Sequence, residues 1–335
     1  MNLGNYTNIK SILRIGELSS VEISIVIPTY KRPKGLRRAI TSIISQETNV
    51  KFNVIIVDNS DNEDDFSATE ALVKELNTSN KIVYFRNEKN IGCFPNWHRA
   101  FELGNGEYII MLHADDYMLP GSIDEIYHIF HSNPDVDALF CNRFSLKIGE
   151  SVPDISVAAT TRSGKIKKFI KRLITTNKQI HHVKLRDFVF GFCFCATTIF
   201  GIKKSVITED MNIPNWDATK SADSHFAMQI CRTHNLYFSD KPMGVKTEEP
   251  DNQGHRKDIT IPVVIHNKEQ FSVFKHDNIY TRFLVNMRIY NVANGFRIAH
   301  EPEIKEILPS YVYNKWSQRL WGCIRKFYLI GFKRR

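Results

Sequence analysis

From residue 21 onward, short apolar runs alternate with segments that repeat at helical spacing, and few folds accept that pattern. Val21–Ile27 reads as a strand ended by Pro28, and Leu36, Ala39, Ile40, Ile43 and Ile44 follow on one helical face. Phe52–Val57 is the next strand, closed by the turn formers Asp58-Asn-Ser-Asp61. A weaker helix runs through Ala68, Leu72 and Leu76, and Lys81–Phe85 is a third strand. Trp97, Ala100 and Phe101 mark another helical face before the strand that ends at His113. Gly121–His131 is a helix with Ile123, Ile126, Tyr127 and Phe130 inward, and Asp137–Cys141 begins a further strand. Strict alternation of this kind calls for βαβ units, hence an α/β class with a doubly wound, mostly parallel sheet and helices on both faces.

The strand Glu107-Tyr-Ile-Ile-Met-Leu112 runs straight into His113, Ala114, Asp115 and Asp116. In open α/β sheets, ligands bind at the carboxyl ends of strands. Acids placed there must pair, bind a cation or stay wet, because burying them unpaired is costly. Taken from the residues alone, Asp115 and Asp116 admit two readings, as ligands of a hard divalent cation or as caps of the following helix. Two more strands end in polar groups, Val21–Ile27 into Thr29-Tyr30-Lys31-Arg32 and Phe52–Val57 into Asp58, so one crevice is expected to collect all three ends.

The chain changes character after about residue 150. Residues 162–186 carry nine basic residues and no acids, with Ile166, Phe169, Ile170, Leu173 and Ile174 at helical spacing. This stretch either lies on an anionic membrane surface or packs its apolar face on the protein, and the second is the expectation. Phe188–Gly201 reads as a strand region in which Cys193 and Cys195 alternate and Phe192, Phe194 and Phe200 fill the core or line an acceptor wall. A helix is expected over Ala222–His234, with Phe226, Ala227, Ile230 and Cys231 inward, and Gly254–Ile265 reads as loop and then strand. Residues 314–335 hold seven basic residues, no acids, and Trp316, Leu320, Ile324, Phe327 and Tyr328 along one face. That tail either packs its apolar face on the protein or touches an anionic membrane surface, and the second is the expectation.

Composition removes several classes. The net charge of +9 over 335 residues favours an anionic partner, yet no nucleic-acid-binding module is recognisable, so nucleic acid is not expected. No run approaches ~18 apolar residues, so no spanning helix is expected. The first twenty residues lack an apolar core of about 7–15 residues, which makes the cytoplasm the expected location. Six cysteines are too sparse for a disulfide scaffold. His181-His182 is not a convincing pair of metal ligands, and His128 and His131 suit surface or capping roles better than ligation. No Gly-x-Gly-x-x-Gly follows the first strand, which disfavours a dehydrogenase.

Four segments then occur in order: Ile25-Val-Ile-Pro-Thr-Tyr-Lys-Arg32, Val57-Asp-Asn-Ser-Asp61, Asn87-Glu-Lys-Asn-Ile-Gly92 and His113-Ala-Asp-Asp116. Together they resemble the nucleotide-sugar-binding half of family 2 glycosyltransferases, over residues 21–140 well and 190–240 more loosely. The resemblance implies a GT-A fold with an N-terminal extension (1–20), a catalytic domain (21–245, its donor half 21–140 and acceptor half 141–245) and a helical, basic C-terminal extension (246–335). It implies that Pro28, Thr29, Tyr30 and Arg32 border the nucleotide, that Asp58 contacts the base, and that Asn90 and Gly92 lie near the donor. Ala114 and Asp116 would flank the cofactor site. Asp115 matches the last acid of the family's Asp-x-Asp motif, the usual ligand of Mn2+ or Mg2+. His113 stands where that motif has its first acid, a departure from the pattern.

Resemblance also assigns a catalytic base to an acid opening a late helix. Asp223 occupies that position, where the residues alone fit a helix cap equally, and Asp217 is the nearest competitor. His255 and Arg256 either reach the diphosphate or lie in a solvated loop. The implied activity is an inverting, metal-dependent, hexosyltransferase-type reaction from a nucleotide-diphosphate sugar, UDP-sugar favoured, to a glycan or lipid-linked acceptor of bacterial surface polysaccharide. Processive relatives carry spanning helices and Gln-x-x-Arg-Trp, neither of which is found, so non-processive transfer is expected. A non-catalytic nucleotide-sugar-binding scaffold is the alternative, and a sugar nucleotidyltransferase is disfavoured because Ile27-Pro-Thr-Tyr-Lys31 has no glycine.

Overall fold

The computed structural model describes residues 8–152, 180–190, 199–207, 222–248, 257–271 and 278–334. These divide into two compact units. One comprises Met1–Ser145, Phe194–Ala218 and Ala222–Thr247, and the other comprises Leu146–Cys193, Thr219–Ser221 and Glu248–Arg335.

In the first unit, strands β1 (Ser11–Ile15), β2 (Ile23–Thr29), β3 (Phe52–Asp58), β4 (Ile82–Asn87), β5 (Tyr108–Leu112), β6 (Tyr117–Met118) and β7 (Ala138–Lys147) interleave with helices α1 (Pro33–Ile44), α2 (Glu63–Leu76), α3 (Cys93–Leu103) and α4 (Ser122–Ser132). After β8 (Ile180–Val183) of the second unit come β9 (Ile199–Lys203), helix α5 (Ala222–Thr233) and β10 (Leu236–Glu248). The first unit's sheet runs β1-β4-β3-β2-β5-β9-β7-β10-β6. Its centre, β4-β3-β2-β5, is parallel. Every residue of β2, β3 and β5 is buried, and their Ile and Val runs are what a sheet covered on both faces requires.

Outside that centre the pairing turns antiparallel: β1 against β4, β9 against β5 and β7, and β10 against β6. Strict βαβ alternation therefore holds only through β5. Residues 11–15, within the segment expected to be a mere extension, form the edge strand β1. Pro28 does not end β2 but lies inside it, opposite Val57 of β3. The ladder to β5 stops at Val26, so the missing amide falls where one flank of the strand no longer pairs.

The second unit holds helices α6 (Lys257–Gln270), α7 (Ile279–Gly295), α8 (Pro302–Ile307) and α9 (Lys315–Arg334), with 3-10 turns at Leu185–Phe190 and Ser310–Tyr313. The expected C-terminal helical part is thus present. Two local readings are corrected here. Lys257–Gln270 is a helix, not loop and strand, although Ile259-Thr-Ile-Pro-Val-Val-Ile265 is rich in β-branched residues and Pro262 removes a helical hydrogen bond. Thr260, Val264, Asn267 and Phe271 are buried at i, i+4, i+7 and i+11, so burial of one helical face overrides local propensity. Leu185–Phe190 is a 3-10 segment with Phe188, Val189 and Phe190 buried, and Ile199–Lys203 is a strand. The basic segment 166–174, Phe192, Cys193, Phe194 and Cys195 lie outside the described residues.

Candidate active site

Successive units build outward from β2 through β3 to β4, and β5 is then laid on the other side of β2. The strand order reverses there, so the chain leaves β2 and β5 in opposite lateral directions and opens a crevice at their carboxyl ends. The turns that border it are Tyr30-Lys31-Arg32 after β2 and His113–Asp116 after β5.

The β2 turn is tight. Lys31 sits in the left-handed region at φ 52, and its ammonium lies 2.6 Å from Asp61 and 3.5 Å from Asp65. Tyr30 donates its hydroxyl to Asp61 at 3.0 Å. The Lys31 ammonium first, then the Tyr30 hydroxyl, holds the Asp61 carboxyl below the usual carboxylate range, and Asp61 in turn raises Lys31. Arg32 crosses the crevice, with Nη1 2.9 Å from Oδ2 of Asp115. Arg38, one turn into α1, donates to the Asp115 carbonyl. Gly35 lets the start of α1 press against the same loop, since a Cβ there would stand 2.7 Å from the Ala114 carbonyl oxygen and 3.2 Å from Asp115 Cα.

The two adjacent acids have separate environments. The Asp115 side chain is 23% exposed. Asp116 is buried, and its Oδ1 accepts from the Thr247 amide of β10 at 2.9 Å. Its other oxygen stands 3.9 Å from Nδ1 of His113. The His113 ring lies beside Trp97, centroids 4.8 Å apart. One ligand atom each from His113, Asp115 and Asp116 fall within 4.8 Å of one another. Carboxylate oxygens with one imidazole nitrogen are a donor set that fits Mn2+ and accepts Mg2+ through the oxygens. Arg32 already neutralises one oxygen of Asp115, so a cation would share that carboxylate with it.

At the carboxyl ends of β3 and β4 the outcome differs from expectation. Asp58 is fully buried, and its oxygens accept from the Ser60 amide (2.9 Å), the Ser60 hydroxyl (2.7 Å) and the Tyr84 hydroxyl (3.0 Å). Burial raises its pKa despite those donors. The carboxylate is enclosed and spent on shaping its own loop, and the exposed acid of this segment is Asp61. Beside it, Asn59 is an unforeseen hub. Its Nδ2 donates to Asn90 Oδ1 (2.8 Å) and the Gly92 carbonyl (3.1 Å), and its Oδ1 accepts from Asn87 Nδ2 (3.0 Å) and the Ile91 amide (2.9 Å). Asn87 also donates to Asn96 Oδ1 at 2.8 Å, and Asn96 donates to the Val57 carbonyl at 3.1 Å. Asn90 and Gly92 are therefore fastened to the end of β3, with Gly92 at φ 95 leading into α3. Three of these asparagines, Asn59, Asn87 and Asn90, lie in the segments already singled out and were the available signal, but pairing between segments is not written in sequence.

Pro28 and Thr29 are buried, and Tyr30 is 42% exposed. Asp223 lies in the first turn of α5, as expected, though its side chain is outside the described residues. That helix is anchored by Phe226, stacked on Phe101 and edge-on to Phe200. Phe200 pairs with Met111, two residues before His113. Asp217, His255 and Arg256 lie outside the described residues.

The model of glycosyl transferase family 2 matches residues 24–206, more than half of the chain. The chain belongs to that family. Among curated relatives of this family 2 member, an uncharacterized glycosyltransferase of Methanocaldococcus jannaschii is 32% identical over 128 residues, 38% of this chain and 43% of that protein. The abequosyltransferase RfbV of Salmonella typhimurium is 30% identical over 124 residues, 36% of this chain and 35% of that protein. The matched part spans less than half the length of these relatives. The structure of S. aureus TarS 1-349 in complex with UDP-GlcNAc superimposes with a TM-score of 0.53 at 13% identity, over 93% of this chain and 89% of that one. That likeness shows a common fold, the GT-A arrangement expected from the four segments.

Proposed function

We propose that this family 2 chain is an inverting glycosyltransferase that moves one sugar at a time from a nucleotide-diphosphate sugar, UDP-sugar favoured, to a hydroxyl of a lipid-linked glycan. Surface polysaccharide synthesis at the cytoplasmic face of a bacterial membrane is its setting. The observation that carries this reading is the pairing of Arg32 with Asp115 across the crevice, next to His113 and Asp116. It joins a fixed cation to a cation-binding carboxylate at the place where a diphosphate would lie. The relation to an abequosyltransferase supports a polysaccharide acceptor, and the fold shared with a UDP-GlcNAc-bound protein supports the donor class.

In this reading, Asp115 would hold a divalent cation with help from His113 and Asp116, and the bound cation would supply Lewis-acid charge beside the leaving diphosphate. Arg32 adds a fixed positive charge for the same phosphates. Tyr30 and Asp61 border the nucleotide, and the Asn59 hub fixes the loop holding Asn90 and Gly92. Asp223 accepts the proton of the acceptor hydroxyl as its oxygen attacks the anomeric carbon from the face opposite the diphosphate. Single displacement inverts the configuration, and alignment of the two substrates supplies much of the rate.

The test is sugar transfer by Asp223→Asn in a protein that still binds nucleotide. A drop of about 10²–10⁴-fold is expected from loss of a general base, with donor affinity retained. Near-normal transfer would remove Asp223 from the role. Asp115→Asn should abolish Mn2+-dependent tightening of UDP binding, and an unchanged response to Mn2+ would remove Asp115 as the ligand.

A further inference from the structure

Helix α9 buries one apolar face and leaves a second one in the open. Its inner face is Trp321, Ile324 and Tyr328. Trp321 is 3% exposed, Tyr328 stacks on Phe190 with centroids 3.5 Å apart, and the Tyr328 hydroxyl donates to Asp187. Packing against its own unit is thereby accounted for. Trp316, Leu320 and Phe327 point elsewhere and are 75%, 53% and 76% exposed. With the exposed Cys323 they sit at i, i+4, i+7 and i+11. At about 100° per residue these four fall within an arc of roughly 60°. The sequence had merged both sets into one face; the fold separates them.

Charge is arranged around the open stripe. Lys315, Arg319 and Lys326 are exposed, and on the same helical rotation they form a row along the edge of the stripe away from the buried face. Lys333 continues that row in sequence. The Arg319 guanidinium lies 5.5 Å from the Trp316 ring centroid, so cation and indole share one spot. Residues 315–334 contain no acid. No helix of the described residues is long and apolar enough to cross a membrane.

We propose that α9 is an interfacial helix that lies flat on an anionic membrane. The Trp316, Leu320, Cys323 and Phe327 stripe enters the boundary between headgroups and acyl chains, and the flanking Lys and Arg row meets lipid phosphates. Charge complementarity decides this occupant over a second copy of the chain, because two copies facing each other would oppose identical cation rows with no acid between them. The inference stands on the helix alone and does not depend on the transferase reading.

Flotation with vesicles of phosphatidylcholine alone, and of phosphatidylcholine with phosphatidylglycerol, tests it. The full chain should float with the anionic vesicles, weakly or not at all with the neutral ones, and should be released by high salt. Each cation brought to an anionic surface contributes about fivefold in partition, so K315Q/R319Q/K326Q should lose most of the binding. W316S/L320S/F327S should lose it as well. All six side chains are exposed, so both variants should keep the wild-type melting temperature, which separates lost docking from lost folding. Failure of the wild type to float with anionic vesicles, or undiminished flotation of both triple variants, overturns the proposal. So does a wild-type dimer in light scattering that the apolar triple variant dissolves while vesicles are ignored, since the stripe is then a subunit interface.

Discussion

Asn59→Ala removes the hub between the ends of β3 and β4, and the structure fixes what that costs. Asn59 is 3% exposed and makes four hydrogen bonds, to Asn90, Gly92, Asn87 and Ile91. Three of these partners keep another bond. Asn90 Oδ1 still accepts from the Gly92 amide, the Gly92 carbonyl from the Asn96 amide, and Asn87 Nδ2 still donates to Asn96. The Ile91 amide, by contrast, loses its Asn59 acceptor in a buried position. At about 0.5–1.5 kcal/mol net for each of the three bonds whose partners keep another, plus about 1–3 kcal/mol for the orphaned Ile91 amide, the loss comes to about 2.5–7.5 kcal/mol. Thermal and urea unfolding measure it, and a fall in Tm of roughly 10 °C is expected at about 2–4 °C per kcal/mol. Nucleotide affinity, read by titration calorimetry below the new Tm, should fall too, because Asn90 and Gly92 lose their tether. Asn59→Asp keeps the acceptor but turns the donor into an oxygen facing Asn90 Oδ1 and the Gly92 carbonyl. It should therefore be at least as damaging as alanine. A destabilisation under about 1 kcal/mol for both variants would refute the claim that this network holds the loop.

Two further outcomes follow from the same geometry. Gly35→Ala places a methyl group 2.7 Å from the Ala114 carbonyl oxygen, so α1 must shift. A loss of about 1–3 kcal/mol is expected, with weakened Mn2+ binding at Asp115 seen by electron paramagnetic resonance; normal stability and metal binding would contradict it. Asp58 has its native pKa raised by burial above its ordinary 3.8. As pH rises, the unfolded chain releases this proton first, so the wild type gives up stability until pH passes the raised native value. Asp58→Asn cannot ionise, so its stability relative to wild type should improve from pH 4 towards neutral in urea unfolding; a pH-independent difference would show that Asp58 is not buried at a cost.

The central sheet was legible because its signal is local. Ile23–Thr29, Phe52–Asp58 and Tyr108–Leu112 are buried throughout and dominated by Ile and Val, as a strand covered on both faces requires. The segments after these strands could be singled out because polar residues at strand ends have few structural uses. What they do there was less readable. Asp58 and Asp61 are equivalent acids in the sequence, and the fold encloses one behind Tyr84 and Ser60 while leaving the other to Lys31 and Tyr30. Asp115 and Asp116 are adjacent, yet the Thr247 amide, 131 residues away, claims the second. Lys257–Gln270 misled because its β-branched residues speak for a strand, and burial of Thr260, Val264, Asn267 and Phe271 along one helical face makes a helix the better arrangement.

By itself, then, the sequence determined the α/β class, the family and the segments that border the crevice, because strand runs, helical spacing and turn chemistry act over a few residues. Tertiary structure alone decided which asparagine is the hub, which acid meets Arg32 and which stripe of α9 remains open. Those outcomes depend on groups far apart in the chain, and a polar or apolar side chain is spent or available only once its spatial neighbours have been set.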